Sequence, residues 1–225
     1  MRTGAALEER IIALIHERGL VPGAAMPTEP QLTDLLGASR NSVREAIRAL
    51  QALGIVDIRH GHGTFVGQAS LSGLSTSLAF RVRSSDSIRA IRELVEVREL
   101  LEIGLIGEVA SGPPDDARLD ALDELVSAMA EDLEADRAFH ALLYEDCDNE
   151  LVLQLIDLFW DTYHQVEHFL GAPADKKDVV ANHQRIVTAL RERDPDAARE
   201  AMRRHFLDVR LRIARADELG VPGLG

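Results

Sequence analysis

A chain of 225 residues is long enough for one large domain or two modest ones, and 46% hydrophobic content with only 4% aromatic residues suits packed helices better than a β-sandwich. No apolar run of about 18 residues is available to cross a membrane, the N-terminus lacks the apolar stretch of a signal peptide, and Cys147 as the single cysteine excludes an internal disulfide or a cysteine-based zinc site, so a cytoplasmic protein is expected. The net charge of −13 argues against a uniformly basic nucleic-acid binder, yet residues 1–70 balance seven arginines against seven carboxylates and the entire acidic excess lies beyond them.

In chain order, residues 5–18 read as an amphipathic helix with Leu7, Ile11, Leu14 and Ile15 on one face. Gly19 to Pro27 breaks it. Thr28 and Gln31 form a capping box for a short helix over 29–36, closed by Gly37. Ser39 caps a third helix over 40–53, closed by Gly54. Two short strands follow at 55–58 and 64–66, separated by Arg59-His60-Gly61-His62-Gly63. Two helices, a turn, a third helix and a hairpin outline a winged helix-turn-helix over 1–67. Residues 68–86, rich in Ser and Gly, are expected to be a linker.

From 87 to 219 the pattern is helical throughout, with elements expected at 87–110, 115–133, 135–146, 149–170, 175–193 and 195–218. Gly112-Pro113-Pro114, Gly171-Ala172-Pro173 and Asp194-Pro195 supply the breaks. The expected fold class is therefore mainly α: a winged helix-turn-helix followed by an antiparallel six-helix bundle.

On the third helix Val43, Ala46, Ile47 and Leu50 recur at helical spacing and face a small core. Arg40, Arg44, Arg48 and Gln51 fall on the opposite side, with Asn41 and Ser42 near the start. Arginine and amide side chains at the N-terminal end of a helix suit the major groove, where Arg reads guanine and Asn reads adenine. A solvated basic face is the alternative. The preceding helix-turn and the following Gly-rich hairpin favour DNA, since a merely solvated helix needs neither.

In the helical segment Asp136 and His140 are four apart and share one helix face. His183 lies on the apolar stripe of Val179, Ile186, Val187 and Leu190, and His205 on that of Ala198, Met202 and Val209. A lone histidine on such a stripe is usually a satisfied core residue. Two on separate helices, with an Asp/His pair on a third, point to a shared ion, because buried polar groups without partners each cost about 1–3 kcal/mol. One Asp and three His suit zinc, nickel or a similar divalent metal. His164 and His168 form a rival pair, ranked lower because Gln165 and Glu167 make their helix edge polar. Arg98 interrupts the stripe of Ile91, Leu94, Leu101 and Leu105, so its guanidinium is expected to point inward, either to a ligand or to an internal ion pair with Glu102.

Two stretches carry a family resemblance. Pro27-Thr-Glu, Leu32 through Leu50, Gly54-Ile-Val and His60-Gly-His-Gly-Thr-Phe-Val resemble the GntR family of bacterial regulators. Asp136-Arg-Ala-Phe-His140, Asn149, Asn182-His183-Gln-Arg-Ile and Met202-Arg-Arg-His205 resemble the all-helical FCD ligand-binding domain of its FadR-type subfamily. The resemblance implies DNA contacts from Arg40 and Arg44 and minor-groove entry by a wing bearing His60 and Gly61. It also implies metal ligation by Asp136, His140, His183 and His205, and an effector cavity faced by Arg98 and Asn149. Pro30 departs from the pattern where an arginine is common, and Asn182 where a glutamate is.

The function expected is a homodimeric, one-component transcription repressor. A double-stranded operator is its partner, and a small organic acid bound beside the metal changes the spacing or orientation of the two DNA heads. A metalloenzyme using the Asp/His site and a pure metal sensor are the alternatives. No HExxH or other catalytic signature favours the enzyme.

Overall fold

The computed structural model describes residues 3–84, 87–113, 115–132, 134–170 and 176–218. The chain divides into two compact units, Met1–Gly73 and Leu74–Gly225.

The first unit is built on α1 (Thr3–Glu17), α2 (Glu29–Leu36) and α3 (Arg40–Ala52), followed by the antiparallel hairpin β1 (Val56–Arg59) and β2 (Gly63–Val66), in register Val56 to Val66. The caps form as the sequence dictates. Thr28 and Gln31 make a reciprocal capping box, and Gly37 ends α2 in the left-handed region at φ 59, which favours glycine. Ser39 accepts the Ser42 N–H to start α3. Leu7, Ile11, Ile15, Leu32, Val43, Ile47, Leu50, Val56 and Val66 close a core of their own. Gly61 and Gly63, at φ 79 and 110, turn the hairpin.

The second unit carries α4 (Ser75–Ser84), α5 (Ser87–Ser111), α6 (Asp116–Ala128), α7 (Glu134–Leu143), α8 (Glu150–Val166), α9 (Lys176–Arg191) and α10 (Pro195–Glu218). Helix α10 packs chiefly on α5 and α9. Ion pairs from Arg92 to Asp217 at 2.7 Å and from Arg210 to Glu99 at 3.0 Å show that α5 and α10 run antiparallel. The Arg199 guanidinium of α10 lies over Gly107 of α5, in the space a Cβ would occupy. No described helix is long and apolar enough to cross a membrane.

The linker expected over 68–86 is corrected. Leu71–Leu74 forms a 3-10 turn and 75–84 is helix, with Ala79 and Val82 buried in the core of the helical unit. Leu78 and Ala79 lie one turn before Val82, and burying this face outweighs the weak helix propensity of the surrounding serines. The unit therefore has seven described α-helices rather than six. Residues 85 and 86 of that linker, Pro114, position 133, the Gly171-Ala172-Pro173 break, position 175 and position 219 lie outside the described residues.

Candidate metal centre and nucleic-acid interface

Packing in the first unit decides what α3 presents to solvent. Val43, Ala46, Ile47 and Leu50 are buried, so Arg40, Asn41, Ser42, Arg44 and Arg48 are all exposed, as are His60 and Gly61 at the hairpin tip. Glu29 lies 3.6 Å from Arg44 and Glu45 lies 3.5 Å from Arg48. Exposed pairs of this kind are worth about 0–1 kcal/mol, so both guanidiniums remain available to a stronger anion such as phosphate or a base edge. The Ser42 hydroxyl is 2.9 Å from that of Ser39 at the helix cap. Arg59, which the sequence reading did not single out, stacks on Phe65 at 4.4 Å and pairs with Asp57, stiffening the hairpin.

In the second unit, α7 contributes Asp136 and His140 from adjacent turns of one face, α9 contributes His183, and α10 contributes His205. The three imidazoles are buried and their ligand-capable nitrogens lie within 4.8 Å of one another. Asp136 is half-buried at the same place: its Oδ1 is 3.0 Å from His183 Nε2 and 3.5 Å from His140 Nε2. The four residues singled out from spacing thus meet at one point.

The other ring nitrogens set the chemistry of that point. His183 Nδ1 donates to the Val179 carbonyl at 2.8 Å, and His140 Nδ1 donates to Glu102 Oε2 at 2.5 Å. Both acceptors orient their rings so that Nε2 faces Asp136. His140 Nε2 is buried and makes no hydrogen bond among the described residues. Two Nε2 lone pairs aimed at one carboxylate repel unless a proton or a cation lies between them. Three imidazoles and one carboxylate are a donor set for a divalent ion of the zinc or nickel type, and the residues present fit one.

The electrostatics are those of protons shared at that point. Burial alone would raise the Asp136 carboxyl, but the His140 and His183 imidazoles facing it hold it well below the usual carboxylate range. Burial also lowers His205, and the neighbouring His183 and His140 push it further down, so this ring is neutral and ready to donate a lone pair. Burial would lower His140 as well, yet the Glu102 charge and the Asp136 and Glu102 carboxylates beside the ring together outweigh it and raise that group.

Beside the cluster lies a buried polar network. Glu102, fully buried, accepts from Arg98 Nε, from His140 and from the Tyr144 hydroxyl at 3.1 Å. Arg98 and His140 overcome the effect of its burial and hold its carboxyl at about 2. The Arg98 guanidinium stacks on Trp160 at 3.9 Å, and its Nη2 is buried without a hydrogen-bond partner among the described residues. Trp160 Nε1 is buried and without a partner in the same sense. Of the two readings of Arg98, the internal ion pair with Glu102 is formed, and Nη2 is left without a hydrogen-bond partner among the described residues.

Asn149 does not join this network. It is exposed, and its side chain caps α8 by accepting the Val152 N–H at 3.3 Å, so its assignment to the effector cavity is corrected. Its place just before a helix explains an asparagine without any ligand. The rival pair separates. His164 turns its Nδ1 to Glu167 at 3.1 Å, while His168 is exposed and stacks on Phe169. Glu102, Tyr144 and Trp160 complete the network. Among them only Glu102 carried a signal, four residues beyond Arg98 on one helix face.

Comparison with known proteins agrees with both halves. Residues 3–66 match the family described as bacterial regulatory proteins, gntR family, and residues 93–208 match the FCD domain. The chain is 30% identical to the HTH-type transcriptional regulator YcbG of Bacillus subtilis, over 91% of this chain and 87% of that protein. It is also 30% identical to LutR of the same organism, over 87% and 94%. A regulatory protein of Escherichia coli named for the L-lactate dehydrogenase operon is 28% identical over 93% and 86%. A solved structure of Streptococcus agalactiae GntR superposes with a TM-score of 0.67 at 30% identity, covering 92% of this chain and 99% of that one. These relatives are regulators, not enzymes. With a GntR DNA-binding unit followed by an FCD domain, this chain belongs to the GntR family of DNA-binding transcription regulators, in its FadR-type branch.

Proposed function

We propose that the protein is a metal-dependent, effector-responsive repressor, in which a small hydroxy acid or other carboxylate bound beside a divalent ion weakens operator binding. One observation carries this reading: two orphaned polar atoms, His140 Nε2 and Arg98 Nη2, belong to side chains joined through a single buried carboxylate. One calls for a cation and the other for an anion. An acid bound to the metal through its carboxylate or hydroxyl, with a further oxygen accepting from Arg98, meets both needs. The E. coli relative named for the L-lactate dehydrogenase operon supports a hydroxy acid as the class. Asp136, His140, His183 and His205 would hold the ion, zinc or nickel by their donor chemistry, and the ion would supply a charge on which carboxylate oxygens can replace water.

The DNA reading assigns Arg40, Asn41, Ser42, Arg44 and Arg48 to the major groove, and His60 and Gly61 to the minor groove. The assembly proposed is a homodimer. Val97 and Leu100 on α5 and Leu207 and Leu211 on α10 are exposed apolar residues on two antiparallel helices that pack together, and exposed apolar side chains of this kind are what a second copy would cover.

The test is to select a duplex from random DNA with the purified protein and follow its binding by fluorescence anisotropy. Zinc, a chelator, and L-lactate, L-malate and citrate are added in turn. Release of DNA by one acid in the presence of zinc, abolished by the chelator, is expected. Release by zinc alone, with no effect of any acid, would establish a pure metal sensor instead.

A further inference from the structure

Glu102 sits at the junction of the two halves of the proposed ligand site. One carboxylate oxygen accepts from Arg98 Nε, and the other accepts from His140 Nδ1 at 2.5 Å and from the Tyr144 hydroxyl at 3.1 Å. The residue is wholly inaccessible to solvent, so these donors stand in place of water at its carboxylate. Glu102 and Arg98 belong to α5, whereas His140 and Tyr144 belong to α7 and the turn that follows it. A charge buried this deeply is costly unless its partners are retained, so its three donors are held in place together.

We propose that Glu102 is the positioning residue of the metal centre: it fixes His140 with Nδ1 protonated and Nε2 free for the ion, and the same carboxylate holds Arg98 through Nε, leaving Nη2 without a hydrogen-bond partner among the described residues. The proposal rests on the reading of His140 as a metal ligand. A carboxylate behind a ligating imidazole both selects the tautomer and raises its basicity. Because one group serves both sides, metal affinity and the aim of Arg98 depend on the same carboxylate, and the two binding events are coupled through it.

The test is chelator competition for Zn²⁺ with the full-length protein as wild type, Glu102→Gln, Tyr144→Phe and His183→Ala, with far-UV circular dichroism confirming the fold of each. Glu102→Gln is expected to weaken Zn²⁺ binding by about 10–100-fold. Tyr144→Phe, which removes a donor to Glu102 but touches neither His140 nor Arg98, is expected to lose less. A folded Glu102→Gln with wild-type affinity, alongside a His183→Ala that loses the ion, would overturn the proposal and leave the metal reading intact. A His183→Ala that binds as tightly as wild type would instead overturn the metal reading itself. Nitrogen-15 NMR of the histidine rings in the wild-type protein provides a readout that needs no variant. His140 is expected to carry its proton on Nδ1 and to shift at Nε2 when Zn²⁺ is added. Metal-induced shift at Nδ1 would rule the proposal out.

Discussion

His183 Nε2 and Asp136 Oδ1 lie 3.0 Å apart, joining α9 to α7 across 47 positions of sequence. His183 Nδ1 donates to the Val179 carbonyl, so Nε2 is the nitrogen that faces Asp136, and the proposed metal site takes two of its ligands from this pair. His183→Ala is expected to leave the purified protein without its divalent ion, measured by elemental mass spectrometry against protein concentration. His164→Ala is expected to retain it, because the His164 Nδ1 is turned to Glu167 on its own helix edge. The reverse pattern would transfer the site to α8. Occupancy should also fall as pH drops below about 6, because only neutral imidazole binds metal.

The reading face of α3 makes a separate prediction. Arg44 is exposed and held only by a 3.6 Å contact with Glu29. Arg44→Ala should cost about 1–3 kcal/mol for each half-site if the guanidinium reads a base, and should relax sequence preference at one position. Glu29→Gln should change affinity little, because an exposed pair contributes about 0–1 kcal/mol. Titrations with the selected duplex and with single-base variants of it distinguish a base contact from a phosphate contact. A uniform loss across all sequences would make Arg44 a backbone clamp.

The first unit and the histidine cluster were legible in the sequence for the same reason: both are written in local periodicity. Thr28, Gln31, Gly37 and Ser39 mark helix ends by their side-chain chemistry alone, Asp136 and His140 stand four apart on one helix face, and His183 and His205 stand out as polar residues on apolar stripes. What was not legible depends on tertiary packing. Helix α4 forms from serine-rich sequence because Ala79 and Val82 find a core to enter. Asn149 belongs to a ligand-site pattern by resemblance, but its position before α8 commits its oxygen to Val152. The position of Glu102 between Arg98 and His140 could not be read from spacing, since His140 lies 38 positions further along the chain, beyond a whole helix and its turns.

Glu102 also predicts acid behaviour. Its carboxyl is held at about 2, below its ordinary 4.5, so the folded state prefers the ionised form. The resulting stability is present above pH 4.5 and is lost as pH falls from there toward 2, on the order of 3 kcal/mol in full. Trp160, the single tryptophan, stacks on Arg98 and reports on this region. Urea unfolding of metal-free protein followed by Trp160 fluorescence should show the wild type losing stability faster than Glu102→Gln between pH 4.5 and 3. Parallel curves would place the acid sensitivity in other carboxylates.

The exposed apolar residues of α5 and α10 predict the assembly. Leu100 is 76% exposed and Val97, Leu207 and Leu211 are each about half exposed. Leu100→Glu places a charge where a second copy would remove water, at a cost large enough to dissociate a modest interface. Sedimentation velocity should show a wild-type dimer and a monomeric variant with unchanged helix content. A variant that remains dimeric would move the interface to another face.

Arg98 supports the most selective prediction about the effector. Its Nε is bound to Glu102 and its plane lies on Trp160, so removal of the whole side chain would leave a buried carboxylate without its countercharge. Arg98→Ala therefore confounds folding with binding. Arg98→Lys keeps the positive charge near Glu102 but gives up the planar fork, including the Nη2 that has no partner among the described residues. The variant is expected to fold and to retain Zn²⁺ while binding L-lactate, L-malate or citrate about tenfold or more weakly than wild type, since a charge-assisted hydrogen bond is worth about 1.5–3 kcal/mol. Calorimetry on zinc-loaded wild type, zinc-loaded Arg98→Lys and metal-stripped wild type compares the two ends of the site directly. An acid bound equally well by all three proteins lies elsewhere, and one lost only on stripping needs the metal but not the guanidinium.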